Sequence, residues 1–148
     1  MRLPLVFDKD RTRLTVVATV NFSGRVPIPV SFIVDTGSPF TFVDEFNSAK
    51  VRIFTKNLTF DRDALMGGTK VAMYKAGNVV IKFRDEANGL FEIKFNEMKV
   101  AQTEWTRREA IYSGASILGL DFFLENKLSL HVNPAKNIAY IETEEQQS

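Results

Sequence analysis

Apolar residues recur along the chain in short runs, and Gly, Pro and Asn separate these runs. The runs are rich in β-branched and aromatic residues, a composition that favours strands, and stretches with helical periodicity are few. Alternation of period two is clearest over residues 90–100, where Phe91, Ile93 and Phe95 alternate with polar residues. Such alternation is typical of a half-buried strand. The pattern therefore predicts a mainly β protein.

Turn residues arrange the first strands as a hairpin. Residues 13–20 and 26–34 are predicted strands on either side of a polar turn at 21–25. Pro27 and Pro29 lie in the second strand. Because proline cannot donate a backbone hydrogen bond, one edge of this strand is expected to be unpaired.

The remaining predicted elements are also separated by turn-forming residues. Residues 65–69 look like a hairpin tip, from which residues 70–74 return. One short helix is predicted near the C-terminus over residues 121–126, capped by Asp121, and strands are predicted over residues 127–132 and 138–141. Polar segments predict a turn at residues 44–50, a loop or helical turn at 103–110, and a frayed tail at 142–148. No linker or repeat divides the chain, so we expect one domain over residues 1–148, with its core at about 12–141.

Net charge and apolar content limit the kinds of partner that the chain is expected to bind. The 148 residues carry a net charge of +1 and are 45% hydrophobic, so the composition is that of an ordinary globular domain. No apolar run approaches the roughly 18–20 residues needed to cross a bilayer. Trp105 with Arg107 and Arg108 is better explained as a surface loop than as a nucleic-acid contact, because no large basic field surrounds it. We expect a cytoplasmic protein that binds neither nucleic acid nor membrane.

The absence of cysteine and the near absence of histidine exclude several chemistries. Without cysteine there is no disulfide, thiol nucleophile or Cys-based metal site. The single histidine, His131, alternates with leucines on a predicted strand and is expected to be a polar-face residue rather than a metal ligand. A Ser-His-Asp triad is hard to build from one histidine. Neither a metal nor an organic cofactor is expected, and carboxylate, hydroxyl, amine and backbone chemistry remains.

One carboxylate is placed unusually. The apolar residues 32–34 lead directly to Asp35, which is followed by Thr36, Gly37 and Ser38. A strand-end turn explains the same letters, but such a turn does not need an apolar strand to deliver its acid. The apolar approach predicts that Asp35 is buried, where hydroxyl and N–H groups of the next residues would stabilise its ionised form.

At this point the sequence resembles the retropepsin-like, retroviral-type aspartic proteases. Their Asp-Thr-Gly-Ser/Ala element, preceded by two apolar residues, is similar to Ile33-Val34-Asp35-Thr36-Gly37-Ser38. Ile117-Leu118-Gly119 resembles the apolar-apolar-Gly element that passes beside the catalytic loop in that family, and the helical stretch at 120–126 resembles the helix after it. The resemblance covers roughly residues 12–141. It implies a closed, distorted β-barrel with one short helix near the C-terminus.

The same resemblance implies roles for individual residues. Asp35 would be the acid/base residue, Thr36 would bond across a dimer axis, and Gly37 would donate its N–H to the catalytic carboxylates. Ser38 would donate to the outer carboxylate oxygen. The segment Leu65-Met66-Gly67-Gly68-Thr69 would be the flap over the substrate, and the alternative for the same residues is an ordinary hairpin turn. Tyr74 is expected to be a half-buried strand residue.

Carboxylate chemistry requires a second acid. Peptide hydrolysis by carboxylates alone uses two of them around one water, one ionised and one protonated. No other aspartate of the chain is followed by Thr-Gly or Ser-Gly, and Asp121 is better explained as a helix cap. The second acid is therefore expected to be Asp35 of another copy, in a homodimer with twofold symmetry and the active site on its axis. In the retroviral-type enzymes the chain ends interleave, whereas here residues 142–148 carry no strand signal, which leaves residues 138–141 or 3–7 to pair.

These inferences predict an aspartic endopeptidase with an acidic optimum that binds an exposed polypeptide segment as an extended strand. The alternative is a catalytically weak or inactive module of the same fold that binds peptides or dimerises. A β-barrel that binds nucleic acid would show steeply salt-dependent binding, and the net charge disfavours it.

Overall fold

The computed structural model describes residues 1–10, 12–66, 69–103 and 115–144. Predictions for residues 104–110, for the tip residues Gly67 and Gly68, and for the end of the tail at 145–148 lie outside the described residues. The described strands are β1 (Arg2–Pro4), β2 (Val6–Phe7), β3 (Leu14–Phe22), β4 (Ile28–Val34), β5 (Phe42–Asp44), β6 (Thr59–Met66), β7 (Thr69–Lys75), β8 (Val79–Arg84), β9 (Leu90–Phe95), β10 (Lys99–Thr103), β11 (Ser116–Leu118), β12 (Leu128–Asn133) and β13 (Ile138–Thr143). The described helices are α1 (Glu45–Ala49), α2 (Leu120–Asn126) and the short 3-10 helices Thr55–Asn57 and Pro134–Lys136.

The strands form two sheets. The larger has the order β6-β7-β10-β5-β11-β4-β3-β8-β9, with β2 added against β3, and the smaller has the order β1-β13-β12. Most pairs are antiparallel, but β4 and β11 are parallel, as are β5 and β10. The prediction of a mainly β protein is confirmed. The described strands leave both sheets open, so the closed barrel that the resemblance implied is not seen.

The hairpin of β3 and β4 carries the catalytic-loop candidate at its far end. Gly24 has φ +72° in the connecting turn, a conformation that glycine adopts without a steric penalty. β3 pairs along the whole of β4, whereas β11 pairs only with Phe32–Val34. Among the described strands, Pro29 therefore lies where β4 has β3 as its one neighbour, as its missing N–H predicted.

The main core lies among the long strands and α2. Its fully buried side chains include Phe22, Phe32, Phe83 and Phe122. The Phe122 ring lies 5.8 Å from that of Phe83 and 5.4 Å from that of Phe123. Two adjacent phenylalanines thus fix α2 against the sheet, and with it the segment that precedes the helix.

Three local predictions differ from the structure. Residues 142 and 143, predicted as the start of a frayed tail, are the last two residues of β13 and pair with β12. The polar segment at 44–50 is not a turn but contains α1, because the Asp44 side chain accepts a hydrogen bond from Asn47 N–H at 3.0 Å and caps the helix. The predicted strand at 90–100 is broken between β9 and β10, which pair with different neighbours. Across the break the buried positions change from the odd-numbered Ile93 to the even-numbered Met98 and Val100, so the period-two alternation does not continue through it.

The chain ends pair with each other. β1 pairs antiparallel with β13, which places Leu3 opposite Ile141, and both side chains are fully buried. Residues 3–7 and 138–141, the segments expected to pair between subunits, are therefore engaged within one chain. No helix among the described residues is long and apolar enough to span a membrane.

Candidate active site

Asp35 begins the loop that joins β4 to β5. Its N–H donates to the Leu118 carbonyl at 3.0 Å, which continues the parallel pairing of β4 with β11. The Ser38 N–H donates to the Asp35 carbonyl at 3.0 Å and closes a tight turn. The position of Asp35 is thus set by two neighbouring strands and by a turn of its own loop.

The Asp35 carboxylate faces solvent in the single chain. Its Oδ1 accepts a hydrogen bond from Gly37 N–H at 3.0 Å, the donor that the resemblance implied. Asp35, Thr36 and Gly37 are all exposed, and Ile33 and Val34 before them are only half-buried. The prediction that the apolar approach buries Asp35 is wrong for one chain, because the loop turns outward where β4 ends.

Ser38 differs from its implied role. Its side chain is buried, and its hydroxyl donates to the Phe40 carbonyl at 2.8 Å instead of to Asp35. The cause is local, since the turn brings this carbonyl within reach of a side chain that points inward. In the single chain Ser38 therefore stabilises the loop rather than the carboxylate.

Ile117, Leu118 and Gly119 lie buried beside this loop. A Cβ atom on Gly119 would lie 2.4 Å from the Phe40 carbonyl oxygen and 2.8 Å from the Ser38 carbonyl oxygen. Directly after it, the Leu120 N–H donates to the Ser38 carbonyl at 2.7 Å. Only glycine allows the two segments to approach so closely, which gives a physical reason for the apolar-apolar-Gly pattern.

A threonine joins this element to α2. The Thr41 hydroxyl accepts from Gly119 N–H at 2.9 Å and donates to Asp121 Oδ1 at 2.7 Å. The Thr41 N–H donates to Asp121 Oδ2 at 3.0 Å. The helix begins at Leu120 with Gly119 as its N-cap, so Asp121 is not the cap but lies in the first turn. Both of its oxygens bind Thr41, which disfavours Asp121 as a second catalytic acid.

The predicted flap is the hairpin of β6 and β7, which pair from Thr59 opposite Lys75 to Met66 opposite Thr69. Leu65 near its tip is 79% exposed. At its base, the guanidinium of Arg62 lies 4.8 Å from the centre of the Phe40 ring. The hairpin therefore contacts the segment that follows the Asp35 loop.

A salt bridge supports the same base. Lys99 Nζ on β10 donates to Asp61 Oδ2 at 2.7 Å, and this ammonium group lowers the pKa of the Asp61 carboxyl below its usual value. Tyr74 is half-buried, as expected, with its ring 5.7 Å from that of Phe60. Neither Arg62 nor Lys99 was predicted, because charged residues on strands carry no sequence signal for a distant partner.

An open groove of about 490 Å³ runs beside Asp35. The residues that line it include Phe7, Leu14, Val34, Asp35, Val132 and Pro134. The groove therefore lies between the Asp35 loop and the end of β12. Among the described residues, no group of three or more acidic or histidine side chains is placed to hold a metal ion.

The comparisons with known proteins bear on the fold. No protein-family model matches the sequence, and no curated protein matches it. Among solved structures, the chain is similar to a retropepsin-like aspartic protease from Rickettsia conorii, with a TM-score of 0.58. The fold is retropepsin-like. The match covers 95% of this chain and 90% of that one, and at 16% identity it establishes the fold alone.

Proposed function

We propose that this retropepsin-like chain is an aspartic endopeptidase that acts as a homodimer. The observation that carries the proposal is the Asp35 loop, in which an exposed carboxylate accepts from Gly37 N–H at 3.0 Å. Gly119 supports that loop from beneath, in a fold shared with a protease of this class.

The mechanism follows from pairing two such carboxylates. When two Asp35 side chains come within about 3 Å, like-charge repulsion leaves one ionised and one protonated. The ionised group removes a proton from a water, and the protonated group hydrogen-bonds the carbonyl of the peptide that the water attacks. The carbonyl carbon becomes tetrahedral, and the C–N bond breaks as the amine leaves with a proton. No metal or organic cofactor takes part.

Exposure of Asp35 in one chain is consistent with this mechanism. A carboxylate surrounded by water lacks the low-dielectric surroundings and the second acid that the reaction needs. A second copy would supply both, with Thr36 bonding across the axis. The substrate would lie extended between the paired loops and the hairpins of β6 and β7, with Ile117, Leu118 and Gly119 beside the site.

The test is hydrolysis of an unfolded protein at mildly acidic pH, followed by mass spectrometry of the fragments. We expect Asp35→Asn to reduce the rate by at least about a thousandfold, because the shared proton of the carboxylate pair is lost. A statine-type transition-state inhibitor should stop cleavage by the unmodified chain. Asp10→Asn is the matched control, since Asp10 lies in an exposed turn. Wild-type rates from Asp35→Asn would contradict the proposal.

One observation favours the alternative of a weak or inactive module that binds peptides. The Ser38 hydroxyl donates to Phe40 rather than to Asp35, so in the single chain the carboxylate has a single described donor. This alternative predicts that a labelled unfolded polypeptide binds with equal affinity to the unmodified chain and to Asp35→Asn and that neither cleaves it.

A further inference from the structure

We propose that two copies of this chain pair edge to edge through β12, joining their three-stranded sheets into one continuous six-stranded sheet beneath both catalytic loops. The proposal rests on the proposed function, because the second Asp35 identifies the partner as another copy. It also commits to one strand, one register and one symmetry axis, which the function does not specify.

The edges of the smaller sheet are not equivalent. β13 has a neighbour on each side, which leaves β1 and β12 at the edges. The outer side of β1 is covered by the loop after β8, whose Glu86 N–H donates to the Arg2 carbonyl at 3.0 Å. On the outer side of β12 the structure places no strand among the residues that it describes. The edge of β12 is therefore the one that can accept another strand.

The free hydrogen-bonding groups of β12 follow from its pairing with β13. The register runs without a shift, and beyond its end the Glu144 N–H donates to the Lys127 carbonyl at 3.2 Å. Antiparallel ladders alternate, so the odd-numbered residues of β12 bond β13 and the even-numbered residues direct N–H and C=O outward. Of these, Leu128 is only 7% exposed. Leu130 and Val132 therefore present the usable edge.

The side chains on this edge face the groove beside Asp35. Leu130 and Val132 share the face of Leu128, which belongs to the core. Val132 is 44% exposed, and it lines the groove that also contains Asp35. The apolar face of the sheet thus ends in an uncovered valine beside the carboxylate. A second copy at this edge would cover Val132 and bring its own Asp35 toward the same groove.

Twofold symmetry selects the register. An axis at Leu130 is excluded because the covered Leu128 would have to bond Val132 of the partner subunit. An axis at Val132 is excluded because it would require a backbone N–H from Pro134, which proline lacks. An axis at His131 places Leu130 opposite Val132 of the partner subunit, and all four of their backbone groups pair. His131 then faces His131 of the partner subunit in a non-hydrogen-bonded pair, with Cα atoms about 4.5 Å apart.

Engineered cysteines test this register, because the chain contains no cysteine. His131 is exposed on the outer face, and a Cα separation of about 4.5 Å permits a disulfide. We expect His131→Cys to form a covalent dimer under mild oxidation. Ser129→Cys is the matched control on the same strand and face. In this register its two copies are about 13 Å apart at about 3.3 Å per residue, so no cross-link is expected.

Sedimentation velocity over a concentration series tests the edge without a covalent bond. Val132→Lys should raise the dimer dissociation constant at least about tenfold, because a charge would enter the seam, the contact between the two β12 strands. Leu90→Lys is the control. Leu90 is 66% exposed on β9, an edge strand of the larger sheet, so its replacement should leave the constant unchanged.

Dimerisation and cleavage are measured separately, so the interface and the proposed function can fail independently. The same dimerisation measurements are repeated on Asp35→Asn, which should dimerise without cleaving. The interface is overturned if the unmodified chain stays monomeric, if His131→Cys cross-links no more than Ser129→Cys, or if Val132→Lys dimerises like Leu90→Lys. Either of the last two results can accompany cleavage that depends on Asp35 in a dimer joined elsewhere, which would leave the protease proposal standing. A chain that stays monomeric would contradict both the interface and the homodimeric protease. Conversely, a His131→Cys cross-link and a Val132-dependent dimer in a chain that cleaves nothing would support the interface and contradict the protease.

Discussion

Thr41 shows how a single hydroxyl group can hold the Asp35 loop in place. Its hydroxyl accepts a hydrogen bond from the Gly119 N–H and donates one to Asp121. One side chain therefore connects the segment after Ser38 both to Gly119 and to α2. The Thr41 side chain is buried, which means that water cannot replace either bond without rearrangement. The position of the Asp35 loop therefore depends on a residue that lies outside the Asp35-Thr36-Gly37-Ser38 segment.

Replacement of Thr41 by the isosteric valine should be costly. Thr41→Val keeps the shape but leaves the buried Gly119 N–H without its acceptor, and we expect a loss of about 2–3 kcal/mol in the free energy of unfolding. Urea denaturation measures this loss. Thr15→Val is the control, because the Thr15 hydroxyl makes one long contact, 3.3 Å to the Val6 carbonyl, at a half-exposed position. Equal stabilities for the two variants would show that the Thr41 contacts contribute nothing.

The candidate site was predictable only where the chemistry demands a particular residue type at a particular spacing. Asp35 and Gly119 stand out in the sequence because an acid after an apolar strand and a glycine after two apolar residues are informative patterns. Thr41 carries no such signal, since its partner Asp121 lies 80 positions away. The exposure of Asp35 was missed for a related reason, because apolar residues before an acid do not reveal which way the loop turns.

At the level of elements, local signals predicted strands and turns better than partners. The mainly β composition, the hairpin of β3 and β4, and the helix after Gly119 follow from alternation and turn residues. The helix α1 was missed because its cap, Asp44, lies in a polar segment that equally suits a turn. The break between β9 and β10 was missed because β9 pairs with the preceding strand β8, whereas β10 pairs with β7 and the more distant β5. Topology of this kind is set by long-range pairing.

The base of the predicted flap offers a test of one element's attachment by its pH dependence. Lys99 lowers the pKa of the Asp61 carboxyl in the folded chain. The ion pair therefore stabilises the fold at pH values above the unfolded pKa of about 3.9, and this stabilisation is lost as the pH falls through the lower, folded pKa. We expect Asp61→Asn to lower the free energy of unfolding by up to about 1 kcal/mol at pH 7, and this difference to shrink below about pH 4.

Urea unfolding of both proteins across this pH range measures the effect. Asp63→Asn on the same strand is the control. Asp63 lies 3.5 Å from Lys70 in an ion pair in which both side chains are about half exposed, so its replacement should change stability by less than about 0.5 kcal/mol. A difference between Asp61→Asn and the unmodified chain that persists unchanged at pH 3 would contradict the attribution to Lys99.

On the scale of the whole molecule, the three-stranded sheet separates folding from association. Because β1 and β13 pair within one chain and bury Leu3 and Ile141, the ends need no partner to complete the core. A second copy would then add to a finished sheet instead of exchanging strands with it. The sequence alone left open which terminal segments pair, since short apolar stretches can form a strand in either arrangement. Association of folded chains is therefore concentration-dependent.

Mixing active and inactive chains should expose a shared active site. If both Asp35 residues are needed, a dimer of one unmodified chain and one Asp35→Asn chain is inactive, and the inactive chain acts as an inhibitor. Where dimerisation is complete and random, an equal amount of Asp35→Asn should reduce the cleavage rate to about half, and a ninefold excess to about a tenth. The double variant Asp35→Asn with Val132→Lys should inhibit far less, because it cannot occupy the proposed seam. A rate that is unaffected by added Asp35→Asn would mean that each chain cleaves by itself, and the second acid would then have to come from within one chain.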